Sequence, residues 1–442
     1  MLVASVPNCI RIIANGAKDL CDADFTYRNL LHLMCILFFG LDSFSEAVRS
    51  LIFVQSVSTL SRGAARIPRE ALLRRCRNRV ALMLAESDSP EQRFVLITDD
   101  TLVRKFGASP DNCYWFDHCI NATMKGRNYL VLVVFDTFTG QCFPVGAALL
   151  KGTKHEKYKA RIEVLKEQLL ILKSSGLGKI PLTADSWFAD KAFFKWLDDS
   201  GFVFEIEVKT NRKITYLDKK VLGKVGEKGK ILYPSISDVA CSLKRNTTYS
   251  GGAPKQIASG VVRLFGSNLR LKFASVWNNN DSLKDKPFAI YVTNKTTICP
   301  SKIWALSRFR WAIECHFRKS KQNFSFDAFP THTSECAFGL IVLGMFLICS
   351  LELQRIDTSA RPLGKSERRK KYSPLCTWVK KMIAEAEDST FKRAVLSPMK
   401  RQSLLNHLNG RKSSEYACLK PRDKISRTKT IEKEGELRKE AA

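Results

Sequence analysis

Between residues 93 and 208 the chain alternates strand-like and helix-like text in an order that few folds can use. RFVLITDD has the apolar run of a buried strand. NYLVLVVFDT and QCFPVGAALL follow as two strands of a hairpin, turned through Thr139-Gly140. YKARIEVLKEQLLILKSSG has helical periodicity and stops at Gly176. KIPLTAD is a short buried strand ending on Asp185, ADKAFFKWLDDSG a helix stopped by Gly201, and FVFEIEV one more strand. Strand, hairpin, helix, strand, helix, strand predicts a mixed α/β sheet.

That order resembles the RNase H-like fold, and the flanks divide around it. Residues 1–90 read as helical, with apolar runs at 29–41 and 46–57. They are followed by a segment in which Arg62, Arg66, Arg69, Arg74, Arg75, Arg77 and Arg79 crowd together. Such a cluster suits phosphate contact, and it equally suits a solvated helix face. Residues 91–209 form the first part of the core. In 210–299 short β-like pieces (KITYLD, GKILYPS, GVVRLFG, LRLKFASVW, PFAIYVTN) alternate with Gly, Asn and Lys clusters, which predicts a β-rich insertion. Helices resume over 300–355, with Pro300 just ahead of the first. From 356 to 442 the chain is a polar, basic tail, with one helix expected around 374–387.

The net charge is +29, from 72 Lys and Arg against 43 Asp and Glu. A surplus of that size, spread along the chain, points to a polyanionic partner, most simply nucleic acid. The 14 Cys residues form no disulfide framework and suit a reducing cytoplasm. Cys113, His118 and Cys119 lie close in sequence, but no second ligand pair follows at zinc spacing. The apolar stretch 335–352 is nearly long enough to span a bilayer, yet its place in the chain suits a core helix, and no membrane role is expected.

The segment SRFRWAIECHFRKSKQ, 307–322, predicts a helix with Arg310, Glu314 and Lys321 in line on one face. Arg310 and Glu314 alone would be an ordinary i, i+4 ion pair. Trp311, Ile313 and Phe317 mark the helix as at least half buried, and two acids, in LITDDT and LTADSW, stand upstream at expected strand ends. Two strand acids and a helix Glu make a metal-dependent, phosphodiester-cutting constellation.

On these residues the chain resembles the DDE transposases of the insertion-sequence-four type. Their signature Y-(2)-R-(3)-E-(6)-K is matched by Arg310, Glu314 and Lys321, with Ser307 in the Tyr position. The family's first acid precedes one residue and then Thr, which matches Asp99 in Asp99-Asp100-Thr101, with Asp100 as the alternative. The second acid matches Asp185. The family also places a β-rich insertion between the second Asp and the Glu, as expected here for 210–299. The resemblance implies Asp99, Asp185 and Glu314 as catalytic, metal-binding residues for two Mg²⁺ ions, with Mn²⁺ as a substitute. It implies Arg310 and Lys321 as phosphate contacts near the scissile bond. The implied partners are double-stranded DNA at element ends and target, with a homodimer acting in the bacterial cytoplasm on the nucleoid. Ser307 offers a hydroxyl without the ring that hairpin-forming relatives use.

Other residues receive plainer readings. Trp277 suits a strand core better than base stacking, Trp187 suits packing that fixes Asp185, and His316 lies off the Glu314 face. Two rival functions share these features: a nuclease of the same fold without strand transfer, and a non-catalytic DNA-binding descendant.

Overall fold

The computed structural model describes residues 8–357, apart from 39–42, 46–55, 105–112, 118–120, 154, 157, 219, 226–230, 250–253, 283–284, 325 and 327–332. The expected helix at 374–387, the basic tail, His118 and Cys119 lie outside the described residues. The described cysteines are free thiols.

Helices α1 (Asn8–Asn15), α2 (Tyr27–Phe38), α3 (Val57–Ala65), α4 (Arg69–Ala85) and the single turn α5 (Pro90–Arg93) lead into the sheet. Strands β1 (Phe94–Arg104), β2 (Cys113–Asp117), β3 (Ala122–Asp136) and β4 (Gln141–Leu150) come next. Then follow α6 (Arg161–Ser174), β5 (Leu182–Ala184), α7 (Lys191–Asp199) and β6 (Phe204–Glu207). Within the sheet the order β4-β3-β1-β5-β6 is antiparallel from β4 to β1 and parallel from β1 to β6. The β3–β4 hairpin turns at Gly140, whose φ of 75° favours a residue without Cβ. Beside it, buried Asp136 accepts from the Phe138 amide at 2.9 Å and pairs with Arg93 at 2.6 Å, so this acid is committed to structure.

Residues 210–299 supply β7 (Ile214–Leu217), β8 (Lys220–Val221), β9 (Lys224–Val225), β10 (Ile231–Leu232), the short helix α8 (Ile236–Cys241), β11 (Asn246–Thr248), β12 (Lys255–Leu264), β13 (Leu271–Asn278) and β14 (Ala289–Thr293). Most of these strands continue the same sheet. β14 pairs antiparallel with β6, and β13, β12, β7 and β8 follow outward. Only β9 and β10 form a separate pair among the described residues. β14 covers the edge of β6, whose backbone groups would otherwise be left unpaired.

The chain then enters α9 (Pro300–Ser307), a tight 3-10 turn over Arg308–Arg310, and α10 (Trp311–Phe324). The single helix expected over 307–322 is therefore divided, and Arg310 stands at the joint. Helix α11 (Ser334–Asp357) packs on β4, α3 and α4. It is long and apolar enough to cross a membrane, but 89% of its most apolar window is buried inside the protein. A side chain at Gly339 would collide with the Ala64 carbonyl, so the α3–α11 crossing depends on this glycine. Much of the basic N-terminal cluster is tied internally. Arg75 reaches Asp19 at 2.5 Å, Arg66 reaches Asp24 at 3.0 Å, and buried Arg77 pairs with Glu70. Arg69 donates to the Glu335 carbonyl of α11 at 3.3 Å.

Candidate active site

The first acids stand where the parallel part of the sheet runs out. Strand β1 does not end at Asp99: its ladder with β3 continues to Arg104 because β3 is long enough to hold it. On the other side β1 pairs with β5 only through Leu96 with Leu182 and Ile97 with Thr183. Carried two residues further, that register sets Asp99 level with Asp185. The Ala184–Ile206 pairing sets Asp185 level with Glu207 on β6 in the same way. Neighbouring strands are about 4.8 Å apart, so three carboxylates form a row across three strands.

Alternation along β1 turns the adjacent acids to opposite faces. Asp100 is engaged by Arg161 at 3.0 Å and by the Asn128 side chain. Asp99 accepts the Asp100 amide at 2.8 Å and faces Arg310, whose Nη1 lies 3.8 Å from Asp99 Oδ2. Asp185 follows β5 and caps the short turn Ser186–Phe188, accepting the Trp187 amide at 3.0 Å.

Glu314 arrives from α10. Its Oε1 receives Arg310 Nη1 at 3.0 Å, so one guanidinium nitrogen serves both Glu314 and Asp99. Lys321, two turns further on, donates to the Leu102 carbonyl of β1 at 3.3 Å and pins α10 to the strand that carries Asp99. Ile313 is fully buried beneath the helix, whereas Trp311 is exposed.

The electrostatics follow from burial. Asp99 is pushed up to about 7, first by burial and then by Asp185 and Asp100. Asp185 is raised by burial, with the Trp187 amide and Arg310 acting against it. Glu207 is raised by burial, opposed by Arg310 and reinforced by Asp185. Like charges in a half-dry cleft disfavour full ionisation, and Arg310 is the counter-charge they share. Carboxylates are hard oxygen donors, so the chemistry of Asp99, Asp185 and Glu314 fits a Mg²⁺-type ion. Among the described residues no three His, Cys, Asp or Glu side chains converge on one ready metal position. The guanidinium, with the carboxylates on either side of it, occupies the middle of the site.

Residues 91–349 match the family model described as Transposase DDE domain, more than half of the chain. The chain belongs to this transposase family. Among solved structures, a cryo-EM structure of a piggyBac transposase synaptic complex with hairpin DNA is similar at 10% identity, covering 92% of this chain and 82% of that chain, with a TM-score of 0.42. No curated protein matches.

The transposase also contains site residues that the sequence reading passed over. Glu207 is one; FEIE sets two acids on one face of a buried strand, and the pairing of β6 with β5 brings Glu207 level with Asp185. Its neighbour Glu205 is wholly buried and raised well above the ordinary value by that burial. Tyr291 on β14 is the cross-strand partner of Glu207. Burial and Glu207 push its hydroxyl up, while Ser307 and Arg310 act in the opposite sense. A phenol from β14 therefore stands beside Ser307. Ser307 itself is buried and donates to the Trp304 carbonyl at 2.8 Å.

Trp277 is buried as expected, His316 is buried too, and Trp187 departs from its expected packing role. Trp277 is fully buried, with its indole donating to the Asp285 carbonyl at 2.7 Å and Arg245 4.1 Å from the ring centre, so it is core. His316 is buried against Ser320 and pushed down to about 3, first by burial, which leaves it neutral. Trp187 is not a packing residue. Its amide fixes Asp185, but its ring is 59% exposed, because the 3-10 turn directs it outward.

Proposed function

We propose that this transposase performs cut-and-paste transposition of an insertion sequence of the insertion-sequence-four type. It would hydrolyse phosphodiesters at the element ends and then join the freed 3′-hydroxyl to target DNA. The observation that carries this reading is the level placement of Asp99 and Asp185 on adjacent parallel strands, with Glu314 tied to Asp99 through Arg310. The strand order β4-β3-β1-β5-β6, with its antiparallel-to-parallel switch at β1, supports an RNase H-like core, and β7–β14 are then its β-rich insertion.

In this reading Asp99, Asp185 and Glu314 hold two Mg²⁺ ions, or Mn²⁺ in their place. When bound, the ions supply Lewis acidity for an in-line displacement at phosphorus. Asp99 is preferred over Asp100 because Arg161 and Asn128 already satisfy Asp100. Asp99 and Asp185 stand just beyond the last β1–β5 pair, level with one another. Arg310 balances their charge and grips phosphate once DNA enters. Lys321 fixes α10 to β1 and adds positive charge behind the scissile strand. The substrate is double-stranded DNA, the element ends and a target, and the working form a homodimer on paired ends in the bacterial cytoplasm, at the nucleoid.

The test uses the DNA flanking the gene as substrate for the purified protein. Cleavage that yields 3′-hydroxyl ends, joining into a plasmid, and loss of both in Asp185→Ala and Glu314→Ala are expected. Cleavage without joining would favour a nuclease. Cleavage surviving either substitution would remove that residue from the site.

A further inference from the structure

Arg310 is held by the oxygens that the proposed chemistry gives to cations. Its Nη1 lies 3.0 Å from Glu314 Oε1 and 3.8 Å from Asp99 Oδ2. A guanidinium and a divalent ion repel each other and compete for the same carboxylate lone pairs. With ions at these acids, Arg310 must therefore take another position. Its side chain is only 25% exposed, and a largely covered charge keeps a counter-charge.

The sheet supplies one. The β5–β6 register sets Glu207 level with Asp185, one strand beyond it, and Tyr291 follows as the cross-strand partner of Glu207. Residues level on neighbouring strands share a face, so Asp99, Asp185, Glu207 and Tyr291 cross the sheet in that order. Asp99 accepts the Asp100 amide and Asp185 the Trp187 amide. The Tyr291 hydroxyl is engaged by Ser307. Glu207 makes no hydrogen bond or ion pair among the described residues, so it is the uncommitted acid of the row. Arg310 is already within its field: each favours the charged form of the other.

We infer that Glu207 is a positioning residue, not a metal ligand, and that it takes over the Arg310 guanidinium when Asp99 and Glu314 turn to metal ions. This rests on the reading of Asp99, Asp185 and Glu314 as metal-binding acids. The cleft then has two settings of one ion-pair network. In the setting seen here, Arg310 bridges Glu314 and Asp99 and closes the site. In the other it stands one strand beyond Asp185, still inside the cleft. Glu207 stabilises the second setting and so enlarges the fraction of molecules competent for ions, with which apparent affinity scales.

The test reads ion affinity and needs no catalysis. Full-length protein without DNA is titrated with Mn²⁺, and the free ion is followed by electron paramagnetic resonance. Glu207→Gln should weaken binding about tenfold and Glu207→Asp less, whereas Arg310→Gln should tighten it about threefold or more, because nothing then has to move. In an Arg310→Gln background, Glu207→Gln should cost less than about twofold, since no guanidinium is left to hold. Glu207→Gln should not lower the melting temperature of the ion-free protein, where Glu314 holds Arg310. Equal weakening by Glu207→Gln with and without Arg310 would make Glu207 a ligand in its own right and overturn the inference alone. Unchanged affinity in Glu207→Gln, or weaker binding in Arg310→Gln, would overturn it too. Mn²⁺ binding untouched in Asp185→Ala would sink the active-site reading and the inference with it.

Discussion

Arg310 Nη1 donates to Glu314 Oε1 at 3.0 Å, and the same nitrogen stands 3.8 Å from Asp99 Oδ2. The contact joins a helix to a strand more than two hundred residues earlier in the chain. Burial works against the charge on Arg310, but Glu314, Asp99, Asp185 and Glu207 together raise its pKa. The guanidinium is therefore the counter-ion that lets several carboxylates share one cleft.

If the acids hold the metal ions, removing one should stop chemistry and spare DNA binding. Asp185→Ala and Glu314→Ala are expected to lower cleavage by about a thousandfold or more, roughly 4 kcal/mol in the barrier. Gel shifts on flanking DNA should change little, since affinity comes from the basic surface. Asp99→Asn should match them. Asp100→Asn should cost much less cleavage and act mainly through the lost Arg161 and Asn128 contacts. A cleavage loss larger in Asp100→Asn than in Asp99→Asn would exchange their roles.

The raised acids set a pH dependence of unusual sign. Asp99 titrates near 3.8 in its ordinary state and is pushed up to about 7 in the fold, first by burial. Between those values the folded protein holds a proton that the unfolded chain has released, so stability falls as pH rises through the window. Asp185 and Glu207 shift the same way. At about 1.4 kcal/mol per pH unit, Asp99 alone accounts for on the order of 4 kcal/mol across the whole window. The metal-free protein should melt at lower temperature near about pH 8 than near about pH 5.5. Asp99→Asn should reduce that slope and raise the melting temperature on the alkaline side. An unchanged slope in Asp99→Asn would show that this carboxyl is not buried as described.

Much of the core was legible because apolar strands and amphipathic helices carry their own periods. RFVLITDD, the hairpin and KIPLTAD all became strands, and Pro300 opens α9. The strand limits were less so: nothing in LITDDT reveals that β3 holds β1 to Arg104. The break at Arg308–Arg310 was hidden as well, since a 3-10 turn and an α-helix accept the same residues. Glu207 and Tyr291 join the site through sheet order, a long-range property of β6 and β14 that no local spacing encodes. Sequence does not encode which way the Trp187 ring leaves its one-turn helix.

If DNA is the partner, as proposed, the charge of +29 acts largely through phosphate contacts. Binding constants for flanking DNA across a salt series should fall steeply, the logarithmic slope giving the number of phosphates neutralised at about 0.9 per contact. Truncation beyond residue 356 should weaken affinity and shorten the slope without altering which sequence is preferred. Since Arg66, Arg75 and Arg77 are already paired within the fold, charge-removing changes there should alter melting more than the salt slope. A flat salt dependence would contradict the DNA reading.

The last prediction separates structure from chemistry at Arg310 and Lys321. Were Arg310 an exposed ion-pair partner only, Arg310→Gln would cost about 0–1 kcal/mol and leave cleavage intact. Its position argues otherwise, because it stands beside Asp99 and Glu314 and offsets Asp185 and Glu207 as well. Removing it should destabilise the metal-free protein by about 1–3 kcal/mol, the worth of hydrogen bonds to charged groups. The loss should be larger at alkaline pH, where more of the carboxylates are ionised, and added Mg²⁺ should recover part of it. Cleavage should still fall at least about tenfold in saturating Mg²⁺, because the phosphate grip is not replaced by the metal. Lys321→Gln should show the milder pattern, since its amine is spent on the Leu102 carbonyl: a small melting loss and a cleavage defect that follows how well α10 is seated. The measurements are melting curves with and without Mg²⁺ at two pH values, beside single-turnover cleavage. Full cleavage by Arg310→Gln with only its stability reduced would return the residue to a structural ion pair and leave the phosphate unassigned.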